Sequence, residues 1–233
     1  GPVDTPQRRY RNCLALARSA PAQAVGQAQA WLGTGGGVDA AHCLGLAWSA
    51  QEKWPEAAAA FEAAAKDSES RQDRRRGDLL VEAGNAWLAA GDSARAGTAF
   101  EAALATRLLA PQLEGEVHVD LARAAVARGD LAAARLQVDK GLALVPGDAF
   151  AWYVSAALAR RGNDLPRARE HIAKAAGLAP DDAAILLEAG NIAGLSGERE
   201  AALGLYARAA RVAPDSDAGK AAKAALAANE GPR

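Results

Sequence analysis

The residues best suited to chemistry in this sequence are three histidines and two cysteines, and their spacing argues against catalysis. His42, His118 and His171 are separated by 76 and 53 residues, and the sequence contains neither a His-Glu-x-x-His nor a Cys-x-x-Cys motif. Cys13, His42 and Cys43 are all of metal-ligand type, but a closed zinc site needs four ligands. We therefore expect no catalytic residue, no metal site, no cofactor and no enzymatic activity.

Two further patterns could bind a charged ligand. The glycine-rich segment 33–37 would need a preceding strand and a Gly-Lys-Ser/Thr ending to cradle a phosphate, and it has neither. It is interpreted instead as a flexible break between helices. Four arginines lie within residues 71–76 and could bind an acidic partner. Because acidic residues are interleaved with them, a solvated helix end is the simpler interpretation.

The composition indicates which elements must position any site. Half of the 233 residues are hydrophobic, but only 5% are aromatic, and the excess is alanine, the strongest helix former. The formal net charge of -1 gives no basic face for nucleic acid. No apolar stretch reaches the roughly 18 residues that a membrane span requires. We expect an all-α protein with no nucleic-acid partner and no membrane span.

A repeat of 34 residues organises these helices. Pro146, Pro180 and Pro214 are each 34 residues apart, and working back from them gives five units at residues 38–71, 77–110, 115–148, 149–182 and 183–216. The eighth position of each unit is small: Gly45, Gly84, Ala122, Ala156 and Gly190. The twenty-fourth is bulky: Phe61, Phe100, Val138, Ile172 and Tyr206. Small residues where two helices touch, with a large residue opposite, indicate paired helices in an array.

This pattern resembles the tetratricopeptide repeat (TPR) family over residues 38–216. The resemblance implies a right-handed α-solenoid of antiparallel helix pairs, the TPR-like superhelix. Residues 5–32 are interpreted as a degenerate N-terminal helical pair and residues 217–229 as a C-terminal capping helix. Gly1-Pro2 is typical of the remnant left when a protease removes a tag, so it is set aside.

The resemblance also implies a function, because the first helices of TPR proteins line a concave groove that binds peptides or partner helices. We expect a non-enzymatic scaffold or adaptor that holds a protein or peptide segment. The predicted groove residues mix apolar, amide, aromatic and arginine side chains: Asn85, Leu88, Arg123, Val126, Tyr153, Arg160 and Asn191. The alternative is a structural or assembly component that self-associates or contacts an envelope complex through its convex face. We expect a monomer or a weak homodimer.

Cys13 and Cys43 leave two possibilities open. Each lies in a predicted first helix, and consecutive first helices pack side by side, so the sulfur atoms could form a disulfide across the glycine-rich segment. They could equally be two buried free thiols that act as small hydrophobic residues. A disulfide fits a periplasmic or exported protein and free thiols fit a cytoplasmic one. We expect the former location, with the cytoplasm as the alternative.

Overall fold

The computed structural model describes residues 4–229, and helices make up nearly all of them. Within that range the chain forms thirteen α-helices and no strand. They are α1 (Pro6–Ser19), α2 (Pro21–Gly33), α3 (Gly37–Ala50), α4 (Trp54–Ser70), α5 (Arg76–Ala89), α6 (Ser93–Ala105), α7 (Pro111–Ala127), α8 (Leu131–Leu144), α9 (Ala149–Arg161), α10 (Leu165–Leu178), α11 (Ala183–Leu195), α12 (Arg199–Val212) and α13 (Asp217–Asn229). None of these helices combines the length and apolarity needed to cross a bilayer. The predicted tag remnant lies outside the described residues.

Each predicted repeat contains two of these helices. Residues 38–71 hold most of α3 and all of α4, and the remaining four repeats hold the successive pairs up to α11 and α12. The residues inserted before the third repeat extend its first helix, since α7 begins at Pro111 and not at residue 115. Proline is tolerated at this first helical position because its missing N–H has no partner there in any helix.

Aspartates begin many of the helices. Asp92, Asp130, Asp148, Asp164 and Asp182 each accept a hydrogen bond at a helix N-terminus from a backbone N–H two or three residues later. These bonds satisfy amides that the helix itself leaves without partners. The helix starts are therefore encoded locally, by one side chain each.

The two helices of a repeat approach closely because a ring packs against a glycine. A Cβ atom added to Gly84 would lie 2.5 Å from the ring of Phe100, and one added to Gly190 would lie 2.6 Å from the ring of Tyr206. In the third repeat the small residue is Ala122, and the bulky residue opposite is the smaller Val138. The sizes of the two positions compensate for each other, which keeps the interior filled.

The glycine-rich segment between α2 and α3 is a tight turn and not the flexible break that we expected. The N–H of Gly36 donates to the carbonyl oxygen of Trp31 at 2.9 Å, and Gly35 adopts a φ of +91°. A Cβ atom on Gly36 would lie 2.8 Å from the Trp31 ring. Glycine is thus required here because the backbone passes directly over a tryptophan.

The described chain consists of two compact units that divide within α7, one ending at Val117 and the other starting at His118. In the amino-terminal unit each helix from α1 to α6 packs against the next, and α1 also packs against α3. In the carboxy-terminal unit α8 to α13 pack in the same sequential way, and α9 also contacts α11. Each unit is therefore a stack of helix pairs in which most contacts join helices that are adjacent in the sequence.

Candidate functional site

A disulfide joins two first helices of the amino-terminal unit. Cys13 on α1 and Cys43 on α3 are bonded, with their Cα atoms 6.1 Å apart and a separation of 30 positions in sequence. Both cysteines are buried in one cluster with Trp31. Because α2 lies between the two helices in sequence, the bond ties the degenerate terminal pair to the first regular repeat.

His42 is the centre of a polar network on the same helices. The Tyr10 hydroxyl hydrogen-bonds to its Nδ1, and its Nε2 lies 2.9 Å from Oε1 of Glu82. Beside it, Arg75 donates to Asp39 at 2.6 Å. Burial raises the pKa of Tyr10, against an opposing effect of the Arg75 charge, so this hydroxyl keeps its proton at physiological pH. The network links α1, α3 and α5 by side chains.

Two of the four arginines within residues 71–76 form ion pairs with neighbouring carboxylates. Arg75 also donates to Asp73 at 2.7 Å, and this hydrogen bond lowers the pKa of the Asp73 carboxyl. Arg71 pairs with Asp67 at 3.1 Å, one turn away on α4. The run therefore does not present four free positive charges to a partner.

Two of the predicted groove residues lie on α5, apart from this polar network. Asn85 is exposed and Leu88 is half-buried. Their role in binding stays a prediction.

Four of the predicted residues come together in one open cleft of the carboxy-terminal unit. The cleft has a volume of about 520 Å³, and its walls are α7, α9 and α11, the first helices of three consecutive repeats. Its lining comprises Arg123, Val126, Phe150, Tyr153, Val154, Ala157, Leu158, Arg160, Arg161, Ala184 and Glu188. The small side chains of Ala157 and Ala184 leave room for a ligand side chain.

Helix α9 supplies most of the cleft because of its periodicity. Phe150, Tyr153, Ala157 and Arg160 follow one another at spacings of three, four and three residues, which places them on one helix face. At about 1.5 Å per residue, the stretch from Phe150 to Arg161 is about 16 Å long. The cleft thus has an aromatic end and a cationic end, along one helix.

The aromatic end is formed by Phe150 and Tyr153, whose ring centroids are 6.0 Å apart. Phe150 is 43% exposed, which is high for a phenylalanine. The guanidinium carbon of Arg123 lies 5.4 Å from the Phe150 centroid, and Arg123 also donates to Asp120 at 3.1 Å. Burial raises the pKa of Tyr153, and the charge of Glu188 adds to this effect, so the phenol is neutral at physiological pH.

An ion pair between repeats supports the cleft wall. Arg160 on α9 donates through Nε and Nη2 to the two carboxylate oxygens of Glu188 on α11. The Glu188 side chain is only 5% exposed, so the charge of Arg160 is what makes its burial tolerable. Arg160 therefore holds two helices together in addition to facing the cleft.

Asn191, the remaining predicted residue, lies outside the cleft lining. Its Oδ1 accepts a hydrogen bond from the hydroxyl of Tyr206 at 2.9 Å. That bond lies within the fifth repeat and fixes the tyrosine ring that packs against Gly190. The geometry gives this asparagine a role in packing.

One serine–histidine pair in the carboxy-terminal unit has the residue types of a nucleophile and a base. Ser155 Oγ lies 2.6 Å from Nδ1 of His171 and accepts from Arg135 at 2.8 Å. Ser155 is completely buried, so no substrate can reach its hydroxyl in this conformation. Burial lowers the pKa of His171, and the nearby Arg135 lowers it further, which favours a neutral ring that accepts from Ser155.

Among residues 4–229, no group of three or more His, Cys, Asp or Glu side chains could hold a metal ion. Cys13 and Cys43, two of the three ligand-type residues noted in the sequence, are joined in the disulfide and cannot act as thiolate ligands.

Glu188 lines the cleft and pairs with Arg160, but the sequence analysis did not predict it as a site residue. It is the only charged residue of α11, a helix otherwise made of apolar residues, glycine and one asparagine. A lone carboxylate on such a helix signals a buried ion pair, and this signal could have been read from the sequence. Its partner in the preceding repeat could not, because many arginines occur there.

Similarity between this chain and known proteins is detected in structure but not in sequence. No protein-family model matches the sequence, and no curated protein matches it. The type IV pilus biogenesis factor PilW superposes with a TM-score of 0.75 at 16% identity, covering 94% of this chain and 99% of that chain. Pseudomonas aeruginosa PilF gives a TM-score of 0.71 at 17% identity, with 94% and 98% covered.

A third similar structure is YrrB, described as a TPR protein with an unusual peptide-binding site. Its TM-score is 0.57 at 20% identity, and the match covers 79% of this chain and 90% of that chain. Identities this low bear on the fold alone. Together with the helix pairs described above, they confirm the predicted architecture, and the chain has the helical-repeat fold of the tetratricopeptide repeat proteins.

Proposed function

We propose that this chain is a non-enzymatic protein-interaction scaffold and that its carboxy-terminal unit binds an extended segment of a partner protein. The observation that carries the proposal is the cleft of α7, α9 and α11, where an exposed aromatic wall adjoins guanidinium groups. Tyrosine, tryptophan and arginine dominate the energetics of protein interfaces. Phe150 is 43% exposed and adjoins Tyr153, so the two rings offer a partner apolar area to bury.

The dimensions of the cleft favour a peptide over a small metabolite. Its length of about 16 Å along α9 matches four to five residues of an extended chain at about 3.3 Å each. It is open along one side, whereas sites for small molecules bury most of their ligand. YrrB, a TPR protein of similar fold, has an unusual peptide-binding site, which agrees with this proposal.

A selection from a random-peptide library tests the proposal directly. Peptides would be selected on the native chain, synthesised and titrated by fluorescence anisotropy against variants. Tyr153→Ala and Arg123→Ala should each weaken binding at least tenfold, with the helical circular dichroism unchanged. Arg128→Ala is the matched control, because this exposed arginine lies outside the cleft lining. Selected peptides that bind all of these variants equally would refute the assignment of the cleft.

We extend the proposal to Asn85 and Leu88 as contacts for a partner on α5. The exposed amide of Asn85 has both donors and acceptors available to a peptide backbone. Asn85→Ala should weaken a peptide that contacts this helix by a few fold, and the effect should be absent for peptides whose binding depends on Tyr153 alone. An unchanged affinity for every selected peptide would remove α5 from the site.

For location we propose an exported or envelope compartment. The Cys13–Cys43 disulfide supports this, because such bonds persist in oxidising compartments and are rare in the cytosol. PilW, a protein of similar fold, is a type IV pilus biogenesis factor, which agrees with an envelope location. Acid quenching of intact cells, followed by alkylation under denaturing, non-reducing conditions, should leave both cysteines unmodified. Alkylation of both would favour the cytoplasm.

One observation favours the second candidate function, assembly through the outer helices. Leu144, Leu178 and Val212 are 38%, 49% and 40% exposed, and they lie at the same position of three consecutive repeats, on α8, α10 and α12. A row of this kind could bury itself against another copy or another protein. Light scattering across a concentration series distinguishes the two: a constant monomer mass would argue against self-association, and Leu178→Lys should disrupt any dimer.

A further inference from the structure

The two ends of the α9 cleft offer different chemistry to a ligand. At one end Phe150 and Tyr153 stand beside the small residues Ala157 and Ala184, which leave space for a large flat side chain. Aromatic rings gain from offset or edge contacts in addition to the area they bury. This end therefore accommodates an aromatic side chain of the partner.

At the other end, the positive charge of one arginine is not paired with a carboxylate. The charge of Arg160 is neutralised by Glu188, and that of Arg123 is paired with Asp120. The carboxylate of Asp182, whose charge also acts on Tyr153, caps α11 by accepting from the N–H of Ile185. Arg161 lines the cleft, is exposed and makes no ion pair with any residue of the described range.

The separation of these two features sets the spacing of the ligand groups. Tyr153 and Arg161 are eight residues apart on one helix, which corresponds to about 12 Å at 1.5 Å per residue. An extended peptide covers that distance in three to four residues. The chemistry of the cleft thus specifies two ligand groups and the distance between them.

We infer that the cleft selects partner segments in which an aromatic residue and a carboxylate lie three to four residues apart in an extended chain. The ring packs against Phe150 and Tyr153, and the carboxylate pairs with the Arg161 guanidinium. This inference rests on the proposed function of the cleft as a peptide site and adds the kind of sequence that it recognises.

Short synthetic peptides provide the test. The probes are acetyl-Trp-Ala-Ala-Ala-Asp-amide, the same peptide with Asn for Asp, the same peptide with Ala for Trp, and the three sequences in reverse order. Each is titrated into the ¹⁵N-labelled full chain, and the amide shifts of α9 and α11 are followed by NMR. In one chain direction the Asp peptide should bind about fivefold more tightly than the Asn peptide, as for an exposed ion pair. The peptide without Trp should lose at least tenfold.

Variants of the protein identify which side chain binds each of the two ligand groups. Arg161→Gln should abolish the difference between the Asp and Asn peptides and leave the Trp dependence intact. Arg128→Gln, an exposed arginine outside the cleft, should preserve both. Tyr153→Ala should weaken all Trp peptides alike.

The outcomes separate this inference from the proposed function. If the Asp and Asn peptides bind the cleft equally in both directions, carboxylate selection is wrong and the peptide site stands. If no probe shifts α9 or α11 but library peptides bind there, the recognised sequence is wrong and the site stands. If neither probes nor library peptides bind there, both proposals fail.

Discussion

The contact between Gly84 and Phe100 predicts that Gly84→Ala destabilises the native chain but stabilises a chain in which the Phe100 ring has been removed. Glycine in a helix interior costs about 1 kcal/mol relative to alanine, so Gly84→Ala in α5 would ordinarily stabilise the chain. Here the new methyl group would lie 2.5 Å from a ring atom of the fully buried Phe100, about 1 Å inside the normal carbon–carbon contact distance. Overpacking of this kind costs roughly 1–3 kcal/mol.

We therefore expect Gly84→Ala to lower the free energy of unfolding by up to about 2 kcal/mol in the native background. Phe100→Ala alone should cost about 3–5 kcal/mol, because it empties the space between the two helices. In that background the clash is gone, so Gly84→Ala should raise the free energy of unfolding by about 1 kcal/mol. The coupling between the two sites is then about 1–3 kcal/mol.

Urea unfolding followed by circular dichroism at 222 nm measures all four members of the cycle. Gly26→Ala on α2 is the matched control, since a Cβ atom there would have no neighbour within 4 Å. It should stabilise both backgrounds by up to about 1 kcal/mol. The reasoning is refuted if Gly84→Ala stabilises the native chain as much as Gly26→Ala does.

Three further predictions concern the disulfide and two ion pairs. Reduction of the disulfide, or Cys43→Ser, should lower the free energy of unfolding by about 2–4 kcal/mol; two reactive thiols in a denaturing, non-reducing titration would contradict the bond itself. Arg160→Ala should cost at least about 3 kcal/mol by leaving the Glu188 carboxylate buried without a counter-ion, and adding Glu188→Gln should recover part of the loss in thermal melts. Because Arg75 lowers the pKa of Asp73, that pair stabilises the fold above about pH 4 and the contribution disappears as the pH falls through the folded-state pKa. Asp73→Asn should therefore flatten the acid limb of stability against pH, and an unchanged limb would exclude the pair as its source.

The helices and their pairing could be predicted from the sequence because the signals for them are local. A capping aspartate such as Asp130 acts on an amide three residues away. The interior pattern of Gly84 and Phe100 repeats with the period of the array, so it predicts which faces touch. The turn at Gly36 could not be predicted in this way, since its need for glycine arises from the Trp31 ring beneath it.

The predicted groove positions show where the local signals end. Position within a repeat determines which way a side chain points, and it placed Arg123 and Tyr153 in one cleft. It does not determine whether another residue of the protein already holds that side chain in a hydrogen bond. Asn191 stands at the same repeat position as Arg123, yet it is engaged by Tyr206.

The sequence by itself determined that this protein is an array of helix pairs, because a 34-residue period and its small and large residues recur along the chain. Only the tertiary structure decided which parts of the first-helix surface remain available. His42 is joined to Glu82 across 40 residues, and Arg160 to Glu188 across 28. Such pairs depend on individual residues of adjacent repeats, which the period does not constrain. A buried charge costs free energy unless it is paired, and this cost favours such contacts. Arg161 and the Phe150 ring lie outside these pairs and remain open to a partner.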